Sequence, residues 1–389
     1  MSHSSFFGTS DKAIGVKRIA VYLLLLVVYV VIVSLTIKQV YENIITQYGA
    51  YTPLSPVLIV NPISRRATPT TTNTVVNISN RVYAFGVEWD NSTLESLTLH
   101  LDHIDELIME ELTLNPSGVS LVNPIKFKRT QAYLRKNAPN LPLHVLINNH
   151  NLTNNTWDTS LLYSNLSDTT KRRDIKLWLL NFAIINNLAG INIDFEEIDK
   201  KTYPYYLMFL KELTLSLNAL GKKLTVDIPI SNSLFNLPEI AKRVNLIFLM
   251  AYDEHWSGST SGSIASHLWF DHGIRSAVNR VSRDKLVVIL GNYGYDWIIG
   301  DNTAKPLTNR QVQSIIQKTG ATPRIDPKTS NPFYYYLDEA RRDHVVWYLD
   351  NSTIYKSLNI LKNLGIKNVA LWRLGSEDRG TWEILKNIK

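Results

Sequence analysis

The chain has 389 residues, with 41 Lys and Arg against 34 Asp and Glu, and it contains no cysteine. That length suffices for one large domain with an attachment, and a chain without cysteine can form no disulfide, thiolate metal site or cysteine nucleophile. The net charge of +7 comes from scattered Lys and Arg rather than from one block, so we expect no nucleic-acid-binding groove.

Residues 19–37 contain no charged side chain and consist mainly of Leu, Val and Ile. As a helix they would span about 28 Å, close to the hydrocarbon thickness of a bilayer. Three Lys or Arg residues precede this segment, whereas only Lys38 follows it before Arg65. The positive-inside rule then predicts a single uncleaved span through the lipid bilayer, with the N-terminus in the cytoplasm and the C-terminal part outside. The alternative is a cleaved signal peptide, but the apolar run is long and no small-x-small cleavage site follows it.

The next segment, residues 38–80, differs in composition from both of its neighbours. Prolines between Pro53 and Pro69 mix with a Thr-rich run, and no apolar period persists. Such a composition is typical of a spacer. We therefore divide the chain into a cytoplasmic tail (1–18), a transmembrane helix (19–37), a linker (38–80) and a folded domain (81–389).

The rest of the chain alternates apolar runs with amphipathic helical patterns. Strand candidates lie at 82–87, 104–112, 143–147, 190–195, 224–228, 244–251, 285–291 and 367–372. Helical patterns lie between most of them, for example at 92–102, 171–188, 203–220, 266–280 and 352–364. Eight strands with intervening helices predict an α/β fold, a (β/α)8 barrel. The long connection before the last run contains 334–336 and 345–348, which predict a small insertion with strands of its own.

The fourth run alternates polar and apolar residues from Gly190 to Glu196. Side chains two apart on a strand share a face, so Asn192, Asp194 and Glu196 form a row with neighbours about 6–7 Å apart. Two carboxylates held that close in a shielded place repel each other, and one can stay protonated near neutral pH. A carboxylic acid beside a carboxylate is the pair that glycosidic bond cleavage requires. The alternative is an ordinary strand whose polar face lies in water.

Three later runs also carry polar and aromatic residues near their C-terminal ends. The sixth ends in MAYD (250–253), the seventh continues into a predicted loop with the sequence GNYGYDW (291–297), and the eighth ends in LWRLGSED (371–378). With the fourth run, these ordered motifs resemble glycoside hydrolase family 18, the chitinase-like family, whose catalytic signature is D-G-x-D-x-D-x-E. The first run, FGVEWD (85–90), is similar to the bacterial branch in which such a domain accompanies polysaccharide deacetylase and glycosyltransferase domains.

The resemblance implies a role for each residue of the motifs. Glu196 would be the general acid that protonates the glycosidic oxygen and later activates water. In this family the substrate's own 2-acetamido oxygen attacks the anomeric carbon. Asp194 would orient that acetamide and stabilise the positive intermediate, and Tyr252 would hydrogen-bond its carbonyl.

The resemblance also implies a surface that binds a polysaccharide containing N-acetylglucosamine. Asp253 would contact the sugar or position neighbouring groups, and Trp372 would offer its flat face to a pyranose ring. The remaining candidates for substrate binding are Asn192, Met250, Tyr293, Trp256 and Trp89. We expect no cofactor and no metal ion.

Three positions depart from the family pattern. Asn192 and Ala189 stand where the signature has acidic residues, and Gly86 stands where an aromatic residue is expected. Asn192 cannot share a proton with Asp194 as a carboxyl group could, so we expect Asp194 to be ionised. Because of Asn192 and Gly86, the alternative function is that of a catalytically inactive, lectin-like barrel that binds carbohydrate without cutting it.

Overall fold

A computed structural model describes residues 80–386, apart from 152, 153 and 155. Its centre is a closed barrel of eight parallel strands, in which the last strand pairs with the first and the first with the second. These strands are β1 (Arg81–Val87), β2 (Glu106–Asn115), β4 (Leu143–Asn148), β7 (Gly190–Asp194), β8 (Lys223–Pro229), β9 (Leu246–Met250), β10 (Leu286–Gly291) and β16 (Asn368–Trp372). Each of the eight predicted runs forms one of them, so the (β/α)8 barrel is confirmed.

Helices connect the barrel strands. They are α1 (Ser92–His100), α2 (Pro124–Asn137), α3 (Thr159–Leu166), α4 (Thr169–Ile185), α5 (Tyr203–Ala219), α6 (Leu237–Ala241), α7 (His267–Val278), α9 (Asn351–Asn363) and α10 (Thr381–Lys386). The five predicted helices are confirmed, with ends within three residues of those expected. Helix α2 begins as its sequence dictates: the Asn123 side chain accepts a hydrogen bond from the Lys126 amide, and Pro124 occupies the first turn, where its missing N–H costs nothing.

The barrel strands have an outer and an inner face. Outward residues such as Ile191 and Ile193 join the large apolar core that includes the helices. The inner face carries a separate apolar cluster of Tyr83, Phe85, Ile108, Leu146, Phe248, Met250, Val287, Ile289 and Ala370. Tyr252 and Trp372 pack against this cluster, so the barrel interior is a filled core that ends in two aromatic side chains.

The N-terminal end of the barrel is closed by an ion network around Glu106, which is buried. Its carboxylate pairs with Arg81, His144 and Lys223. Burial alone would raise the pKa of Glu106, but the hydrogen bonds and charges of His144 and Lys223 outweigh it and hold that pKa at about 2. The network lies at the opposite end of the barrel from the predicted catalytic residues. In this fold, the N-terminal end contributes to stability and the C-terminal end carries the active site.

Between β10 and β16 the chain forms the predicted insertion. It is a five-stranded antiparallel sheet in the order β12-β11-β15-β14-β13, made of β11 (Tyr293–Ile298), β12 (Ala304–Thr308), β13 (Arg324–Ile325), β14 (Pro332–Leu337) and β15 (Asp343–Tyr348), with helix α8 (Asn309–Thr319). The two strands expected in this connection are confirmed. The interpretation of 293–297 as a loop is wrong, because Tyr293, Tyr295 and Trp297 alternate and are buried in one cluster on a strand.

Shorter elements complete the described chain. Strand β3 (Gly118–Leu121) forms a hairpin with β2, and β5 (His150–Asn151) pairs with β6 (Thr156–Trp157). The predicted tail, transmembrane helix and linker up to residue 79 lie outside the described residues. Within the described part of the chain, every helix is too short or too polar to span a bilayer.

Candidate active site

The polar row of β7 faces the inside of the barrel and leads to its C-terminal mouth. Asn192 is fully buried, Asp194 is 8% exposed, and Glu196 lies just beyond the strand end. At the start of the row, a Cβ on Gly190 would lie 2.3 Å from the Lys223 carbonyl oxygen, so only glycine allows β8 to approach this closely. The structure therefore brings together the three predicted residues of this row.

Asn149, which follows β4, holds the backbone of Glu196 from both sides. Its Oδ1 accepts a hydrogen bond from the Glu196 amide (2.9 Å), and its Nδ2 donates to the Glu196 carbonyl oxygen (3.1 Å). Asn149 is completely buried. Its role was not predicted from the sequence, although two consecutive asparagines at the end of a buried strand were a signal that could have been used.

Glu196 has the protonation behaviour that a general acid needs. Burial raises its pKa to about 7, and the negative charges of Asp253 and Glu197 add to the rise. A carboxyl group with that pKa is partly protonated near neutral pH and can both donate and accept a proton during a reaction. Glu197 itself is exposed and has a positive φ of 53°, so the chain turns away from the site directly after Glu196.

A carboxyl group that was not predicted, Asp227 of β8, lies beside the row. It is 4% exposed and accepts a hydrogen bond from Asn192 Nδ2 (2.8 Å). Burial raises the pKa of Asp194 well above its ordinary range, with further contributions from Glu196 and Asp227. Burial also raises the pKa of Asp227. Two buried, repelling carboxyl groups hold at least one proton between them near neutral pH.

The raised pKa of Asp194 is the opposite of what the substitution by Asn192 was expected to produce. Asparagine does remove one carboxyl group from β7, but β8 supplies another at the neighbouring position. The signal was the alternation in LTVDIP (224–229), where Thr225 and Asp227 share the inner face while Leu224, Val226 and Ile228 join the outer core.

Aromatic side chains form the floor of the mouth. The Tyr252 and Trp372 rings are stacked with centroids 6.5 Å apart, and Trp372 meets Phe85 edge-on at 5.5 Å. Burial, then the charges of Asp227 and Asp194, raise the pKa of Tyr252, so its hydroxyl stays neutral and can donate a hydrogen bond. Met250 is buried in the inner cluster, where it supports this floor.

Asp253 faces the same cleft and is held by the inserted sheet. Its Oδ1 accepts hydrogen bonds from the Tyr293 hydroxyl (2.5 Å) and the Tyr295 hydroxyl (3.1 Å). The Asp253 backbone has a positive φ of 63°. The residue is exposed to solvent at the mouth of the barrel, although the cleft walls surround it. Desolvation raises the pKa of Asp253 to about 6, against the opposing effect of the two hydrogen bonds. Tyr293 is buried, so it positions Asp253 more than it lines the cleft.

The rim carries two tryptophans that were predicted to bind substrate. Trp256 is 50% exposed and Trp89 is 60% exposed. The Arg373 guanidinium lies 4.2 Å over the Trp89 ring, and Trp89 Nε1 donates to Glu110 Oε2 (3.4 Å). Glu110 of β2 was not predicted as a site residue. Its Oε1 also accepts a hydrogen bond from Asn148 Nδ2 (3.0 Å). In the described part of the chain, no group of three or more acidic or histidine residues is arranged to hold a metal ion.

An eight-stranded parallel barrel whose C-terminal mouth combines carboxyl groups of raised pKa with aromatic side chains is typical of a glycoside hydrolase. The family model described as "Glycosyl hydrolases family 18" matches residues 71–378, and the chain belongs to this family. The protein is a glycoside hydrolase.

Two bacterial relatives and one solved structure are similar to this chain at low sequence identity. The uncharacterized glycosylase YvbX of Bacillus subtilis (strain 168) is 24% identical over 307 residues, which cover 76% of this chain and 88% of the relative. A cortical fragment-lytic enzyme of the same organism is 23% identical over 250 residues, 61% of this chain and 58% of the relative. The crystal structure of a chitinase from Chromobacterium violaceum ATCC 12472 has a TM-score of 0.73 at 22% identity and covers 80% of this chain and 99% of that one.

Proposed function

We propose that the protein is a retaining glycoside hydrolase that cleaves β-linked, N-acetylglucosamine-containing polysaccharide by substrate-assisted catalysis. The observation that carries this proposal is Asp194, next to the general acid on the inner face of β7. Its Oδ1 is buried and meets no hydrogen-bond donor within the described residues. A buried acceptor without a donor is costly, and the N–H of a bound 2-acetamido group would supply the donor.

In the first step Glu196 gives its proton to the glycosidic oxygen, and the bond between that oxygen and the anomeric carbon breaks. The acetamide oxygen attacks the anomeric carbon from the other face and forms a cyclic, positively charged oxazolinium ion. Asp194 accepts the acetamide N–H and stabilises the positive charge. The Tyr252 hydroxyl donates to the acetamide oxygen and holds it in line for the attack.

In the second step Glu196, now a carboxylate, removes a proton from water, and the water oxygen opens the oxazolinium ring with net retention. The pKa of about 7 supports both steps, since Glu196 must donate in one and accept in the other. Trp372 would stack against the apolar face of the sugar. The negative charge of Asp253 would help to keep the pKa of Glu196 raised. Trp89 and Trp256 remain predicted members of the surrounding substrate-binding surface, and Met250 would support that surface from the inner cluster.

Replacement of Glu196 by Gln tests the proposal. Glu196→Gln should lower turnover of acetylated chitooligosaccharides by at least about 100-fold, because general acid catalysis is lost. Glu197→Gln is the matched control, since it makes the same change on an exposed neighbour, and it should keep most of the activity. Equal rates for wild type and Glu196→Gln would contradict the assignment.

The substrate must keep an N-acetyl group on the sugar that is cleaved. A free amine has no carbonyl oxygen to attack, so fully deacetylated glucosamine chains should not be cut. A thiazoline mimic of the cyclic intermediate should inhibit competitively. Chitin, peptidoglycan and exopolysaccharides all contain the required group, and mass spectrometry of the products from each polymer would identify the preferred one.

The inactive, lectin-like alternative is not favoured. It depended on Asn192 and Gly86. Asp227 returns a carboxyl group to the position beside Asp194, as described above. At position 86, a Cβ would lie 2.5 Å from Met109 Sδ, so the neighbouring strand occupies the space that an aromatic side chain would need.

We also propose that residues 19–37 anchor the enzyme in a membrane, with the barrel outside the cytoplasm. The charge asymmetry around this apolar run supports the orientation, and the similarity of 85–90 to the branch found with deacetylase domains is consistent with a role at the cell envelope. Protease added to intact cells should digest the barrel; a barrel protected until lysis would refute the orientation.

A further inference from the structure

Asn192 stands where the family signature has an aspartate, and its side chain is held in one orientation. Its Nδ2 donates both of its hydrogens, one to Thr225 Oγ1 (2.9 Å) and one to Asp227 Oδ1 (2.8 Å). An amide group has only these two N–H donors, so its oxygen points elsewhere. That Oδ1 is buried and meets no donor from the described residues.

Asp194 presents the complementary half of the same arrangement. It lies two residues further along the same inner face, and its Oδ1 is also buried without a donor in the part of the chain that the structure describes. Both oxygens are buried acceptors at neighbouring positions of the inner row, and each lacks a hydrogen from the described residues. A proton on the Asp194 carboxyl group would supply it.

Asp227 completes the group from the neighbouring strand. Ile193 of β7 is paired with Val226 of β8, so the next position on each strand, Asp194 and Asp227, lies side by side on the inner face. The ionisable groups that face Asp227 or Asp194 are Glu196 of β7, Glu110 of β2, Tyr206 of α5 and Tyr252 after β9. Each of them is acidic or phenolic, so a second negative charge at this place is unfavourable.

We propose that Asp227 and Asn192 together take the place of the aspartate that the signature has at position 192, with Asp227 as a positioning residue. Before substrate binds, Asp194 carries the proton and donates it to Asn192 Oδ1, whose orientation Asp227 enforces by accepting from Nδ2. When the acetamide binds, the O–H bond of Asp194 breaks and an O–H bond forms on Asp227. Asp194 is then the carboxylate that faces the positive intermediate, and no proton leaves the site. This inference rests on the proposed substrate-assisted function.

The substitution Asp227→Asn tests the charge at nearly constant shape in the full-length protein. We expect kcat on an acetylated chitooligosaccharide to fall by roughly 10- to 100-fold while KM changes little, because the loss is in stabilising the charged intermediate. The alkaline limb of the kcat/KM profile should also move to lower pH, because this profile reports the free enzyme, in which Asp227 is the carboxylate, and removing that negative charge lowers the pKa of Glu196. A residue with only a structural role would lower the melting temperature without moving this limb.

Two further variants separate charge from packing. The double variant Asn192→Asp/Asp227→Asn returns the carboxyl group to β7, and it should recover at least about 10-fold of the kcat lost in Asp227→Asn. Thr225→Val removes the other acceptor of the same amide without changing charge, so it should leave the alkaline limb in place. The melting temperature of every variant is measured alongside.

A folded Asp227→Asn protein with wild-type kcat and an unchanged pH profile would overturn the inference. So would a double variant that is no more active than the single one. If wild type is active and Glu196→Gln is not, either result refutes only the role of Asp227 and leaves the proposed function intact. If wild type turns over no acetylated substrate, or Glu196→Gln is as active as wild type, the proposed function fails and this inference fails with it.

Discussion

The pKa of Glu196 should respond to one substitution on another strand end, Asp253→Asn. Burial, Asp253 and Glu197 together raise that pKa from 4.5 to about 7, and burial is the largest of the three causes. Asp253 can therefore account for at most half of the rise, about one pKa unit. Because Asp253 is open to solvent, screening reduces the expected shift to about half a unit, or about 0.7 kcal/mol. Asparagine still accepts hydrogen bonds from Tyr293 and Tyr295, so the fold is kept.

The assay is the pH dependence of kcat/KM, which reports the free enzyme. Activity requires protonated Glu196, so it falls as pH rises through the pKa, and the wild-type alkaline limb should lie near pH 7. Asp253→Asn should move that limb to lower pH. Glu197→Gln is the graded control and should move it less, because Glu197 contributes less than Asp253 and is exposed. A limb that stays in place in Asp253→Asn, or moves to higher pH, would refute the electrostatic reasoning.

Three further results are expected. Trp372→Ala should raise KM about tenfold through loss of the stacking face, whereas Trp372→Phe should raise it less. If the two variants weaken oligosaccharide binding equally, the stacking role of Trp372 is contradicted. Asn149→Ala should lower kcat at least about tenfold, because the Glu196 backbone loses two hydrogen bonds. An unchanged kcat would show that these hydrogen bonds do not position Glu196 for catalysis. Glu106→Gln should lower the free energy of unfolding by about 2 kcal/mol at neutral pH. Since the pKa of Glu106 is depressed when folded, this difference should vanish as pH falls from about 4.5 to 2; chemical denaturation at several pH values measures it.

The barrel could be predicted because its strands are runs rich in apolar residues, with helical patterns between most of them. Buried parallel strands are apolar on both faces where the barrel is filled, as in 285–291, and this gives a strong signal. The β7 row was also predictable, because alternation alone places Asn192, Asp194 and Glu196 on one face.

Asp227 could not be recognised in the same way. A single carboxyl group within an apolar strand shows which face it occupies, but its partner depends on how β7 and β8 are aligned. That alignment is set by the closed barrel, which no local pattern specifies. Tyr293 and Tyr295 were misread for a related reason, since their strand pairs not only with the adjacent β12 but also with β15, which is distant in the chain.

The hydroxyls of Tyr293 and Tyr295 on β11 donate hydrogen bonds to Asp253, so the inserted sheet affects the pKa values of groups in the candidate active site. They lower the pKa of Asp253, and Asp253 in turn raises that of Glu196. The working pH of the enzyme can therefore evolve, or be engineered, within an inserted module while the barrel sequence stays unchanged. A library confined to 293–348 could retune acidity without touching any residue that contacts the scissile bond.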